Sequence, residues 1–262
     1  MPDEIASREE QARSVSGDAL KALLHDADEG TLLAMLDNPC LEEPHVCQML
    51  ERLDLSANVL TAVASDGKWT ASEGIRLRLA RHPHTPRRIS FALLRQLYLF
   101  DLVRLSLLPS APAEIRRVAD EIIITRVPHV PVGQKLTLAR RGSARVAGAL
   151  LAEGHPQAMK LSLGNPFLTE SQVLKVLAKA SLPERVVVAI AGDPKWSCQP
   201  NVRVALARNV HTPAQVVRAI LPNLTLRDLK DILRSESVAP HLRKYIQQEL
   251  TRRAGAEYGA AR

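Results

Sequence analysis

The sequence predicts an all-α fold, a right-handed α-solenoid of about five helical repeats, and three observations carry that expectation. The segment from Asp66 to Pro86 recurs without a gap, apolar residues fall three to four apart behind helix-start signals, and prolines cut the chain into pieces that need neighbours to be stable. The 262 residues are 46% hydrophobic and 24% charged, an ordinary globular composition with length enough for a sizeable core.

The recurrence is the strongest of the three. Asp66 to Pro86 reads DGKWTASEGIRLRLARHPHTP, and Asp193 to Pro213 reads DPKWSCQPNVRVALARNVHTP. Ten positions are identical at one constant offset, among them Asp66/Asp193, Lys68/Lys195, Trp69/Trp196, Arg76/Arg203 and Arg81/Arg208. Weaker echoes begin at Leu36, Ile124 and Leu163. With Leu79 and Leu206 they advance in steps of 43, 45, 39 and 43 residues, so the unit is predicted to span about 40 to 45 residues, a period expected of solenoid repeats.

Each unit reads as helix. Val173, Leu174 and Leu177 follow Thr169, and Val216, Val217, Ile220 and Leu221 follow Thr212-Pro213, both with helical spacing. Thr70 with Glu73, Thr169 with Gln172 and Thr212 with Gln215 have the capping-box spacing, and Pro86 and Pro213 are expected at the first helical position, where a missing N–H costs nothing. Further prolines leave helices of about 8 to 15 residues, too short to persist alone. The expected layout is an acidic helical cap over residues 1–35 and a repeat solenoid over 36–253, ending in a helix from Pro240 to about Arg253. A fraying tail over 254–262 would follow.

The LARxPxTP-type element at Leu79 to Pro86, the Asp193-Pro194, Val202-Arg203 and Leu206-Ala207 run, and the length of the unit resemble HEAT-like α-solenoids. The resemblance extends to the variant leucine-rich repeats that carry LAxNPxTP, and covers roughly residues 30 to 250. It implies a fold and leaves function open, since such solenoids dock proteins, bind nucleic acid and occasionally catalyse. Unit lengths wander, and the cysteine cluster that accompanies some variant repeats is missing, so no iron–sulfur group is implied.

Charge is uneven along the chain. Residues 1–70 hold 5 Lys+Arg against 14 Asp+Glu, a balance of −9, which leaves +16 for residues 71–262. A basic body attracts nucleic acid, anionic lipid or an acidic protein. The acidic start lacks the regions of a signal peptide, no stretch approaches the 18 apolar residues of a membrane span, and the three cysteines form no CxxC pair. A cytoplasmic protein is expected.

Candidate ligand-binding residues are Lys68, Trp69, Lys195 and Trp196, together with Arg81, Arg87, Arg88, Arg95 and Arg208. Exposed Trp beside Lys would suit bases or a phosphorylated ligand. A repeated Asp-x-Lys-Trp motif also predicts the alternative, in which Asp66 and Asp193 cap a turn and each Trp packs between units. Arg76 with Arg203 and Arg81 with Arg208 fall at equivalent points of their units, so stacking would align them into ladders able to track phosphates. The alternative for Arg76 and Arg203 is a bond to an Asp or a loop carbonyl of the next unit. Cys40, His45 and Cys47 match no common zinc spacing, and neither catalytic residues, metal nor cofactor is expected. Arg140 to Ser143 resembles a basic phosphorylation or docking site, and Ser235-Glu236-Ser237 reads as a polar loop.

The leading expectation is a non-catalytic scaffold whose Arg-rich concave surface docks an acidic protein segment or partner helix. The alternative is a nucleic-acid-binding protein. A distant similarity to HEAT-like-repeat DNA glycosylases, with their Trp-lined basic surface and one Asp, adds excision of alkylated bases to that alternative.

Overall fold

A computed structural model describes residues 8–26, 28–234 and 240–260. The described residues contain helices, turns and loops but no strand. Their contacts divide the chain into two compact units, Met1–Thr125 and Arg126–Arg262. This division falls elsewhere than the expected boundary between a cap and a continuous solenoid.

In the first unit, helical residues 8–12 (α1) are followed by α2 (Gly17–Asp26), α3 (Glu29–Met35), α4 (Glu43–Met49), α5 (Ala57–Ser65), α6 (Gly67–Thr70), α7 (Glu73–Arg81), α8 (Arg87–Leu94), α9 (Leu99–Leu107) and α10 (Ala113–Arg126). Helices α2, α4, α7 and α9 pack successively into one row, while α3 and α5 pack on each other and α5 also packs against α7. Leu20, Leu24, Val46, Met49, Leu60, Ile75, Leu79 and Leu102 are buried between them. The three-to-four spacing gives each short helix one apolar stripe, and only a neighbouring helix can remove that stripe from water.

The second unit repeats this order. It runs through α11 (Val132–Arg141), α12 (Ala144–Glu153), α13 (Pro156–Leu163), α14 (Glu170–Leu177), α15 (Glu184–Gly192), α16 (Pro194–Ser197), α17 (Pro200–Arg208), α18 (Ala214–Ile220), α19 (Leu226–Arg234) and α20 (Pro240–Ala260). Its row α12, α14, α17 and α19 matches the row α2, α4, α7 and α9. The bounds of α12, α15, α16, α17 and α19 are those of α2, α5, α6, α7 and α9 displaced by the offset that separates Asp193 from Asp66. The repeated segment is therefore the best-preserved part of a duplication that spans most of each half. Helices α2 and α3, expected to form part of a dedicated cap, recur as α12 and α13 inside the second unit.

A pair of buried asparagines shows how far the duplication reaches. Asn38 Nδ2 donates to the carbonyls of Ala12 (2.7 Å) and Val15 (2.8 Å), and its Oδ1 accepts from Cys40 N at 2.8 Å. Asn165 Nδ2 donates to the carbonyls of Ala139 (2.9 Å) and Gly142 (3.0 Å), and its Oδ1 accepts from Phe167 N at 2.7 Å. Every partner is displaced by that same offset. Each amide satisfies backbone groups that neither helix ladder can reach.

Helix starts differ in detail from the expectations. Thr169 caps α14, its Oγ1 accepting from Gln172 N at 3.3 Å. Thr70 instead lies inside α6 and its hydroxyl donates to the carbonyl of Asp66, while Ser72 caps α7. Thr212 is buried and donates to the carbonyl of Leu206 at 2.6 Å, closing the turn after α17 instead of opening α18. Pro86 and Pro213 are extended residues one place before the first helical residue. At the C-terminus α20 continues past the expected end at Arg253, as far as Ala260. Ser235-Glu236-Ser237 lies outside the described residues.

Candidate functional site

The two Asp-x-Lys-Trp motifs fold in the same way. Asp66 Oδ1 accepts from Lys68 N at 2.8 Å, and Asp193 Oδ1 accepts from Lys195 N at 2.9 Å and Trp196 N at 3.2 Å, so each aspartate caps its own short helix. Trp69 and Trp196 are each only 2% exposed. Lys68 Nζ lies 4.0 Å from the centre of the Trp69 ring and Lys195 Nζ 4.3 Å from that of Trp196. Each ring is core on one side and covered by an ammonium on the other, an arrangement stabilised by cation–π attraction. Neither indole offers a face on which a base could stack, so the capping and packing alternative holds and the stacking platform does not.

The arginines of the repeat separate into two groups. Arg76 Nη1 donates to the carbonyl of Thr70 at 2.7 Å and Arg203 Nε to that of Ser197 at 2.7 Å, so both close the turn between the Trp motif and the next helix. Arg87 pairs with Glu114 at 3.1 Å, and Arg95 is exposed and engaged in an interaction of its own. Arg88 is exposed beside a shallow groove that includes Thr61, Ala64 and Ile89. Arg81 shares Glu51 with Arg78, at 2.5 Å and 2.9 Å. Arg76 and Arg203 are thus turn staples, and Arg81, Arg88 and Arg208 stand in grooves.

Two grooves, one in each unit, share part of their lining in the repeat register: Glu51, Gly74, Leu77, Arg78 and Arg81 correspond to Ala178, Asn201, Val204, Ala205 and Arg208, although the first opens between α7 and α9 and the second between α14 and α17. In the first, a groove of about 480 Å³ is lined by Glu51, Glu73, Leu77, Arg78, Arg81, Asp101, Arg104 and Leu108. Its charges are matched internally: Glu51 with Arg78 and Arg81, Glu73 with Arg76 at 2.6 Å, and Asp101 with Arg104 at 3.4 Å. Cys47 lies near Arg78, where burial pushes the thiol pKa up and the guanidinium partly opposes that shift. In the second unit, a groove of about 500 Å³ is lined by Leu174, Leu177, Ala178, Lys179, Val204, Ala205, Arg208 and Val210. No carboxylate lines it. Asp228, the counterpart of Asp101, lies within the field of Arg208. Hydrogen bonds from the Thr225 hydroxyl and N–H chiefly hold its carboxyl below the usual range.

No family model matches the chain, and no curated protein or solved structure matches it. The chemistry of the site therefore rests on its own geometry. Among the described residues no three His, Cys, Asp or Glu side chains converge as metal ligands, Cys40, His45 and Cys47 included, and the three cysteines are free thiols. No described helix is long and apolar enough to cross a membrane.

Sequence reasoning named Arg81 and Arg208 but missed Glu51, Lys179, Leu174 and Val210, which give the two grooves their different character. The signal lay in the repeat register: carried beyond the repeated segment, it sets Glu51 against Ala178 and Arg78 against Ala205.

Proposed function

We propose that the chain is a non-catalytic docking scaffold of the cytoplasm. In this reading its helical units of about 40 to 45 residues belong with the HEAT-like and variant leucine-rich repeats and stack as a right-handed α-solenoid of about five repeats. Its basic surface holds an acidic segment or helix of a protein partner. The burial of Trp69 and Trp196 beneath Lys68 and Lys195 carries the choice of partner. The surface presents guanidinium and ammonium groups without the two indoles as platforms, which suits carboxylates on a protein better than stacked bases. Excision of a base loses its support for the same reason, because it needs an exposed aromatic pocket around the extruded nucleotide.

A duplex-binding role retains one supporting observation. The second unit has 21 Lys+Arg against 9 Asp+Glu, a balance of +12, whereas the first has 14 against 19, a balance of −5. Fluorescence anisotropy of labelled single- and double-stranded DNA and RNA, and of a Glu-rich peptide, separates the two readings. The scaffold should hold the peptide at about 0.15 M salt and ignore nucleic acid. Nucleic-acid binding that falls steeply with salt, without peptide binding, would replace the scaffold reading.

A further inference from the structure

The duplication supplies an internal comparison for the two grooves. In the first unit the Glu51 carboxylate pairs with both Arg78 and Arg81 and lines their groove. In the second unit Arg81 is kept as Arg208, but the carboxylate position is Ala178, the second guanidinium is replaced by Ala205, and Cys47 is replaced by Leu174. Arg208 is exposed and makes no ion pair with a described carboxylate, Lys179 stands exposed at the rim, and Val210 is 51% exposed. Glu170, the acidic residue near the base of α14, is turned to Asn201, whose Nδ2 donates to it at 3.0 Å. A guanidinium has been retained where its carboxylate has been replaced by a methyl group above an apolar floor.

From this difference we infer that the groove between α14 and α17 is a docking pocket for an acidic-apolar peptide segment of a protein partner. A partner Asp or Glu takes the place against Arg208 that Glu51 holds against Arg81, and an adjacent apolar side chain covers Leu174, Val204 and Val210. The inference rests on the docking-scaffold reading and gives it an address. Charge complementarity selects the occupant, since the groove offers two cations and no carboxylate, and the +12 unit that bears it attracts acidic chains before contact. The apolar floor selects against a phosphate backbone, which has no apolar group to cover it. A volume of about 500 Å³ accommodates one or two side chains.

The test uses the full chain and short fluorescein-labelled peptides, each with a Glu and two Leu at varied spacing in a Gly/Ser background. At least one spacing should bind near physiological salt and shift the methyl resonances of Leu174, Val204 and Val210. Ala178→Glu, which restores the missing carboxylate, and Arg208→Ala should each weaken that binding about tenfold, as should Glu→Gln in the peptide. Ala178 is exposed, so an unchanged thermal melt of Ala178→Glu shows that the fold is kept. Peptide binding that survives both substitutions but is lost in Arg88→Glu would overturn the pocket and leave the scaffold reading standing. Absence of peptide binding, with nucleic acid bound instead, would overturn both. Loss of self-association in Ala178→Glu, without peptide binding, would overturn the peptide and put a second copy of the chain in the groove.

Discussion

Trp69 and Trp196 occupy equivalent positions and differ in the hydrogen bonding of the indole N–H. Trp196 Nε1 donates to the carbonyl of Leu163 at 3.1 Å, whereas Trp69 Nε1 is buried without a partner. Trp196→Phe should therefore destabilise by about 1–3 kcal/mol more than Trp69→Phe in denaturant unfolding, because it strands a buried carbonyl that Trp69→Phe does not. His82 carries a pH dependence in its tautomer. Its ring accepts from His84 N at Nδ1 and must donate from Nε2 to the carbonyl of Arg52, and burial holds its pKa below the ordinary value. The unfolded chain then takes up a proton that the folded chain refuses, so stability should fall as pH drops through about 6.5. Asn209 occupies the equivalent position and reaches the carbonyl of Leu177 at 2.6 Å. His82→Asn should flatten the acid limb of a stability profile while exchanging the tie to Arg52 for one to the carbonyl of Leu50, the counterpart of Leu177, and an unchanged limb would assign the proton uptake elsewhere.

At the scale of elements, side-chain ties between residues far apart in sequence, such as Asn38 to Val15 and Trp196 to Leu163, hold the short helices to one another. Asn38 and Asn165 are the clearest, and Asn38→Ala or Asn165→Ala should each cost about 2–4 kcal/mol in chemical unfolding, with similar values because their partners are equivalent. Helix α20 is tied by Arg253, which donates to the carbonyls of Leu221 (2.8 Å) and Leu224 (2.7 Å) and is steadied by Glu249 at 2.7 Å. The hydrogen bond from Arg252, followed by that from Arg253, lowers the Glu249 pKa to about 2. The carboxylate's contribution is thus present above the ordinary glutamate pKa and is lost as pH falls towards about 2. Amide protection factors in α20, taken relative to the intrinsic exchange rate at each pH, should fall across that interval, and Arg253→Ala should reproduce the loss of protection at neutral pH. These elements were only partly legible beforehand. Local spacing revealed the helices and the cap at Thr169. It misplaced the caps at Thr70 and Thr212, because a hydroxyl can donate backwards to a carbonyl as readily as it can accept forwards, and only the surrounding chain decides which.

At the scale of the whole molecule, the chain consists of two compact units with opposite charge balance, −5 and +12. Residues 126–262 expressed alone should unfold cooperatively by circular dichroism, since the core running from Ala147 to Ile246 lies within that unit. A broad, non-cooperative melt would show that the boundary at Arg126 cuts a single folding unit. The sequence by itself determined the helical class and the recurrence of Asp66 to Pro86 at Asp193 to Pro213, and it offered the capping and packing alternative for Asp66, Trp69 and their copies beside the stacking one, between which the burial of the rings decided. Each of these follows from local spacing, turn chemistry or identity between segments. Tertiary structure decided which arginines are spent on turns and which remain in a groove. Whether a guanidinium finds a carboxylate depends on a residue far along the chain on another helix, as Glu51 stands to Arg81, and no local pattern around Arg81 or Arg208 records that Ala178 has removed the partner.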